Sequence, residues 1–413
     1  MLSSTTLVNT LPKNVDSAKS NKAYYNKKEI LSDTHWKSMN VFIDAPSHLS
    51  IISQGKFDEK MYKKYDKNYY YPASAGKGID VYMIDNSFNF TYDEFSEINA
   101  KVVAVIENGK ITKPQSDKSH LNKVCLNSFV FNHGSLTSMA VAGKTLGVAK
   151  KVNLYGVHIV LEEKREDNTG ALLDSIIAWL EYFKENNLVN PHKTVFNISL
   201  CNFTSLDEFE NGEKYRKAQN LINEISDMGV VMVAGAGNNG YQVYDEKNNK
   251  VFYPCAFDNV ISVGGAGKFN IPGIKNDEID SSYYTLGKHS KNILSNYGSH
   301  VDIYAPFAYH YHGESLRSQE SKNDITKNID LILPGTSFSS PIVAGVAATL
   351  MSEYPEKKFT SKSMLEYLTE IGIKDIIQGV SEGCSNVFIN NGKKIVYDAN
   401  TEIEFDDSIP YKN

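Results

Sequence analysis

Four side chains in this sequence could together perform nucleophilic acyl transfer: Asp85, His133, Asn238 and Ser337. A serine hydroxyl is a weak nucleophile until a neighbouring base takes its proton, and histidine titrates in the range that suits that task. A buried aspartate can hold the imidazole in one tautomer and stabilise its charged form. An asparagine amide is a neutral donor suited to a developing oxyanion. Each residue also has a commoner use. Ser337, in PGTSFSSPIVAGVAATLM, could be a helix N-cap. His133, in FNHG, could be a surface or capping histidine, and Asp85, in DVYMIDNSF, a turn aspartate. Asn238, in VAGAGNNG, could simply accept a left-handed turn. The set says more than its members, because every role of an acyl-transfer site is filled.

The elements that must position these residues are visible as periodicity. Ile79–Ile84, Val152–Val157, Thr194–Leu200, Val230–Ala234, Val260–Val263 and Val301–Ala305 read as buried strands. Gly170–Asn187 places Leu173, Ile176, Ile177, Leu180 and Phe183 on one helical face. Glu213–Met228 does the same with Tyr215, Leu221, Ile222 and Ile225, and Gly229 stands where a C-cap is wanted. His133 opens a helical run through Leu136, Met139, Ala140 and Gly143. Ile342–Met351 is apolar nearly all round, which predicts a buried helix, with Pro341 tolerated in its first turn. Ser337 then lies at the positive end of that helix's dipole. Strands alternating with helices predict an α/β fold with a mostly parallel central sheet and helices on both faces. Chemistry is expected just beyond the carboxyl ends of the strands.

Composition bounds the alternatives. The 413 residues carry a net charge of −6, which gives no reason to expect nucleic-acid or anionic-membrane partners. No apolar run approaches the ~20 residues that span a bilayer, and no signal peptide is visible at the N-terminus. Cys125, Cys201, Cys255 and Cys384 show no CxxC spacing, which argues against zinc and leaves two disulfides or none both open. Residues 1–44 read as an N-terminal extension, a prodomain remnant or a disordered arm. Residues 45–400 read as the main domain, opened by a docked, tyrosine-rich arm over 45–75, and 401–413 as a tail. Gly109–Leu121 and His310–Asn328 lack a helical or strand period and read as surface insertions.

The segments GKGIDVYMID, NHG, AGN and GTSFSSP, in the order Asp, His, Asn, Ser, resemble the subtilisin-like serine peptidases. TLGVAKKVNLYGV, NISL, SNYGSHVDIYAP and the arm APSHLSIIS–YYY extend the likeness over roughly residues 45–355. Within the family the chain is most similar to the fungal proteinase K-like branch and, more loosely, to sporulation-associated yeast members. The resemblance implies a three-layer subtilisin-like fold and a serine endopeptidase. His133 would be its general base, Asp85 the orienting acid, Ser337 the nucleophile and Asn238 an oxyanion donor. It implies an extended polypeptide substrate lying beside Ser199, Leu200 and Cys201, beside Gly235, Ala236 and Gly237, and beside the Gly170–Leu172 region. It also implies a monomer, an inhibitory prodomain in the precursor, and a secretory, vacuolar, extracellular or cell-surface location. No cofactor is needed for the chemistry. No metal site is assigned, although Asp302, with carbonyls near Asp258 and Val260, falls where some members bind a structural calcium ion.

Several positions depart from the family pattern. Asn86–Ser87 follow Asp85 where Thr–Gly is usual, which puts the turn geometry in question. Met139 replaces a small residue, consistent with core filling. Cys201 and Asn202 replace glycines that border the specificity pocket, so the cleft should be narrowed or its preference shifted. These changes motivate a second reading, a degenerate family member that binds peptide without cleaving it efficiently. An unrelated α/β hydrolase would need a G-x-S-x-G elbow and the order Ser, acid, His, and neither is present. Glycosylation sequons occur at Asn89, Asn197 and Asn202, the last two in an expected core strand and cleft.

Overall fold

The valine- and isoleucine-rich runs form the middle of a ten-stranded sheet. From one edge its order is Ile373–Lys374, Val387–Phe388, Ile303–Pro306, Val260–Ala266, Val230–Gly235, Thr194–Ile198, Asp80–Asp85, Asn153–Val160, Asn99–Glu107 and Lys110–Thr112. All pairings are parallel except the outermost one at each edge. The computed structural model describes residues 25–55, 65–113, 132–160, 169–267, 289–290, 294–313 and 329–398. Val230, Val231, Met232, Val233 and Ala234 are all fully buried, as expected of a strand covered on both faces. Strand ends fall within one to three residues of the sequence reading, the usual uncertainty at frayed termini.

Helices cover both faces. On one, Trp179 and Phe183 of the helix Thr169–Glu185 pack their rings on Tyr82 and Phe196. The helix Glu213–Asp227 packs against Thr169–Glu185. It stops at Met228, and Gly229 follows at φ +87°, the left-handed conformation that ends a helix. On the other face, the helix Thr336–Glu353 runs beside four central strands and against the helix His133–Ala142. Every residue of Thr336–Glu353 except Ser337 and Ser352 is buried, which explains its apolar circumference.

Residues 25–44, read from sequence as part of a mobile extension, are packed. Asn26 caps the helix Lys27–Thr34 by accepting the Lys28 and Glu29 amides. Met39–Phe42 pairs antiparallel with Tyr69–Pro72 of the tyrosine-rich arm. Ile30, Trp36, Met39, Tyr70 and Tyr397 form a second apolar cluster. The signal missed was this handful of large apolar residues, spaced too irregularly to show a period. Two parts of the expected surface insertions are also strand. Lys110–Thr112 extends the sheet edge, and Ala308–Gly313 pairs antiparallel with Ile329–Pro334. The remainder of both insertions, residues 1–24 and residues 401–413 lie outside the described residues. Among the described residues, no helix is long and apolar enough to cross a membrane.

Candidate active site

Asp85 is the last residue of its strand and is fully buried. Its carboxylate accepts three hydrogen bonds: His133 Nδ1–H to Oδ1 at 2.7 Å, Thr137 Oγ1–H to Oδ2 at 2.7 Å, and the Asn86 amide to Oδ1 at 2.7 Å. Three donors are what a buried carboxylate needs to offset its desolvation. Thr137 is one helical turn after His133, on the same face, and sequence reading missed it. The i, i+4 spacing from the histidine was the available signal.

His133 is the first residue of its helix. The turn after Asp85 holds that helix start: the Asn86 carbonyl accepts the Gly134 amide at 2.6 Å, and the Ser87 carbonyl accepts the Ser135 amide at 3.3 Å. Ser87 adopts φ +55°, so the unusual Asn–Ser sequence still makes the turn. Burial disfavours a charged His133 ring, but the Asp85 charge and hydrogen bond outweigh it and hold its pKa above the ordinary value. With Nδ1 on Asp85, Nε2 is the ring nitrogen left for the cleft. The Phe338 ring stands 5.7 Å from the imidazole, centroid to centroid.

Ser337 is the second residue of the 18-residue helix Thr336–Glu353. Its hydroxyl donates to the Ser199 carbonyl at 3.2 Å. Ser199 Oγ–H in turn donates to the Ser337 carbonyl at 2.9 Å and accepts from Asn197 Nδ2 at 2.8 Å. The amide of Ser337, in the first helical turn, has no intrahelical acceptor and lies at the positive end of the dipole.

Asn238 follows the strand Val230–Gly235. Its Oδ1 accepts the Thr336 amide at 2.8 Å and the Thr336 hydroxyl at 3.1 Å. That fixes the orientation of the side-chain amide and leaves Nδ2 as a donor. Thr336 Oγ1 also accepts the Gly237 amide at 3.1 Å, so this threonine ties the strand exit to the helix start. Gly335 has φ +142°, and a Cβ there would stand 3.3 Å from Asn238 Nδ2. Glycine is thus required on both counts.

These groups border one cleft of about 330 Å³, lined by His133, Ser337, Asn238, Ser199, Leu200, Cys201, Gly235 and Gly237 from the sequence reading, with Asn86, Asn239 and Thr336 in addition. Asp85 stands behind His133, and Ala236 is buried within the wall. Gly170 is not brought to the cleft lining. It lies in the first turn of the helix Thr169–Glu185 instead of on an extended edge, and a helical backbone cannot pair with a peptide strand. Met139 is fully buried, as core filling requires. Asn197 is fully buried with its amide on Ser199, which removes it as a glycan acceptor. Asn89 and Asn202 are partly exposed.

Asp302 accepts the Ser262 amide at 2.8 Å, and burial pushes its carboxyl up to about 6. Among the described residues no cluster of three acidic, His or Cys side chains surrounds this half-buried carboxylate. Cys201, Cys255 and Cys384 are free thiols, and Cys125 lies outside the described residues.

The chain is 30% identical over 336 residues to "Subtilase-type proteinase RRT12" of Saccharomyces cerevisiae, covering 79% of this chain and 55% of that protein. It is 28% identical over 288 residues to "Subtilisin-like protease 2" of Arthroderma otae, covering 69% and 52%. The chain spans about half the length of these two relatives. Among solved structures it is similar to a cold adapted subtilisin-like serine proteinase, with a TM-score of 0.55 and 21% identity over 84% of this chain and 98% of that one. This likeness shows the fold. A family model described as the subtilase family matches residues 76–378, well over half of the sequence, and the chain belongs to that family.

Proposed function

We propose that the protein is a serine-type endopeptidase. The observation that carries the reading is the 2.7 Å contact between His133 Nδ1 and Asp85 Oδ1 at the edge of a cleft that Ser337 and Asn238 also line. His133 Nε2 takes the Ser337 proton as Oγ attacks a peptide carbonyl. Asn238 Nδ2 and the Ser337 amide bind the tetrahedral oxyanion. His133 then protonates the leaving amine, and water hydrolyses the acyl-enzyme by the reverse sequence. The polypeptide substrate lies extended beside Ser199–Cys201, adding a strand to that edge.

No metal enters the chemistry. Where a structural calcium ion binds, Asp302 and the carbonyls near Asp258 and Val260 are the groups to hold it, and its effect is on stability alone. We further propose that the protein acts as a monomer, that its precursor carries an inhibitory prodomain, and that it works in the secretory pathway, the vacuole or outside the cell.

Mass spectrometry after phenylmethylsulfonyl fluoride treatment tests the assignment. A sulfonyl adduct on Ser337, absent from Ser337→Ala, is expected. An unmodified, folded protein would favour the degenerate, peptide-binding reading. One observation supports that reading specifically: the Ser337 hydroxyl is turned to Ser199, in a cleft where Cys201 adds a side chain.

A further inference from the structure

Two thiols stand on either side of the same strand exit. Cys201 is exposed and lines the cleft, and its Sγ lies 3.3 Å from the point a Gly237 Cβ would occupy. Cys255 is buried, with Sγ 3.6 Å from the carbonyl of Ala236, the preceding residue, and 3.3 Å from that of Phe252. The chains that carry them are already paired. Lys250–Tyr253 runs antiparallel to Asn202–Thr204, ending in the pair Tyr253↔Asn202. Cys201 is one residue beyond that last pair and Cys255 two. Continued, that register sets Cys201 opposite Pro254, the neighbour of Cys255; paired strands stand about 5 Å apart at Cα, and disulfides span about 4.4–6.8 Å. Burial pushes the Cys255 thiol well above its ordinary pKa, and the neighbouring Cys201 thiol adds to the effect.

We propose that Cys201 and Cys255 are a redox-sensitive pair in the cleft wall, and that their oxidation to a disulfide slows the reaction of Ser337. The pair itself stands on geometry, and its effect on Ser337 rests on the protease reading above. The oxidant is a small disulfide such as glutathione disulfide. The Cys201 thiolate attacks it, forming a mixed disulfide and releasing one glutathione thiol. The Cys255 thiolate then attacks the Cys201 sulfur, closing the protein disulfide and releasing a second glutathione thiol. Two protein thiols are oxidised and one glutathione disulfide is reduced to two thiols. An accessible thiol beside a resolving one is the arrangement that supports such chemistry. The raised Cys255 pKa makes closure the slow step, faster as pH rises.

The bridge reaches Ser337 through Ser199, two residues before Cys201. A disulfide holds its Cβ atoms about 3.5–4.5 Å apart, which draws residues 200–202 toward 253–255. Ser199 binds both the Ser337 hydroxyl and the Ser337 carbonyl, so the displacement is passed to the nucleophile.

The test is peptide mapping of the full chain equilibrated in reduced and oxidised glutathione, beside the rate of Ser337 labelling by a fluorophosphonate. A Cys201–Cys255 linked peptide is expected in the oxidised sample. Labelling should be slower by about tenfold or more, since displacements near 1 Å at a reacting pair cost on the order of 10²-fold. Dithiothreitol should restore the rate, and Cys255→Ala should lose both the linkage and the redox response. Free thiols at Cys201 and Cys255 under oxidising glutathione, or a bridge from Cys201 to Cys125 or Cys384, would overturn the inference. So would a Cys201–Cys255 bridge that leaves labelling unchanged. A reduced protein that does not label would count against the protease reading, while the peptide map still decides the pair.

Discussion

Replacing Asp85 with asparagine isolates the contribution of a single charge. The change preserves shape, and the hydrogen bonds around it can adapt. Oδ1 keeps its donors, His133 Nδ1–H and the Asn86 amide. The new amide Nδ2 would face Thr137 Oγ1, which has an alternative acceptor in the Gly134 carbonyl at 3.1 Å and can then receive the new donor. His133 therefore keeps its tautomer, and what is lost is the attraction between carboxylate and imidazolium. With nitrogen and oxygen 2.7 Å apart, the charge centres are about 4 Å apart, worth about 4 kcal/mol at an effective dielectric of ~20. At about 1.4 kcal/mol per decade, kcat/KM should fall about 10³-fold. The pH profile gives a second readout. His133 must be neutral to act as a base, so its raised pKa places the rising limb of kcat/KM above the ordinary histidine range, near 6.5. In Asp85→Asn the raising charge is gone, the hydrogen bond is to a neutral acceptor and burial remains, so the limb should move to lower pH. The assay is hydrolysis of a chromogenic peptide anilide between pH 5 and 10, with urea unfolding to confirm the fold. A loss below tenfold, or a limb that does not move, would refute the assignment of Asp85 as partner of a catalytic base.

Asn238→Ala should lower kcat by about 10²–10³ with little change in KM, because its amide acts on charge that develops only in the transition state; single-substrate kinetics checks this, and a KM effect alone would count against it. Thr137→Val leaves Asp85 with one donor fewer, and losing a charge-assisted bond should destabilise the fold by about 1.5–3 kcal/mol in urea unfolding, with no change if the threonine is incidental. Calcium chloride should raise the melting temperature over an EGTA control and lose that effect in Asp302→Asn, since an ion that binds only the folded state at ~100 Kd contributes about 2.7 kcal/mol; equal melting curves would remove the ion from the account.

The central sheet was legible because strands buried on both faces leave unbroken apolar runs, as in Val230–Ala234. The nucleophile helix was legible for the same reason, and the residues at strand ends followed from the parallel arrangement. The N-terminal arm was not. Its burial depends on Ile30 and Trp36 meeting Tyr70 and, across more than 300 residues, Tyr397, a grouping that no local window contains. Gly170 is a place where resemblance and periodicity diverge: family likeness puts the Gly170–Leu172 region beside the substrate, while the helical period already includes it, and the structure has it in the helix and outside the cleft lining. Thr137 and Thr336 were missed for a different reason. Threonine is common in cores and caps, and only a three-dimensional partner, Asp85 or Asn238, distinguishes these two.

The departures from the family pattern can now be weighed by which atoms the structure uses. Asn86 and Ser87 support the His133 helix through their main-chain carbonyls, and Asn86 supports Asp85 through its amide. Those atoms belong to any residue that can make the turn, so replacement there leaves the Asp85–His133 contact intact. Met139 is fully buried in a helix buried from Gly134 to Ala142 and does not line the cleft. Cys201 lines the cleft together with Asn86, and of the two it is the exposed one. The Asp85–His133 pair is thus held by backbone and by buried hydrogen bonds, while Cys201 stands in the wall that the proposed substrate would touch. A catalytic defect in this protein should therefore appear first in peptide binding at the Cys201 edge, with the His133–Asp85 pair still assembled.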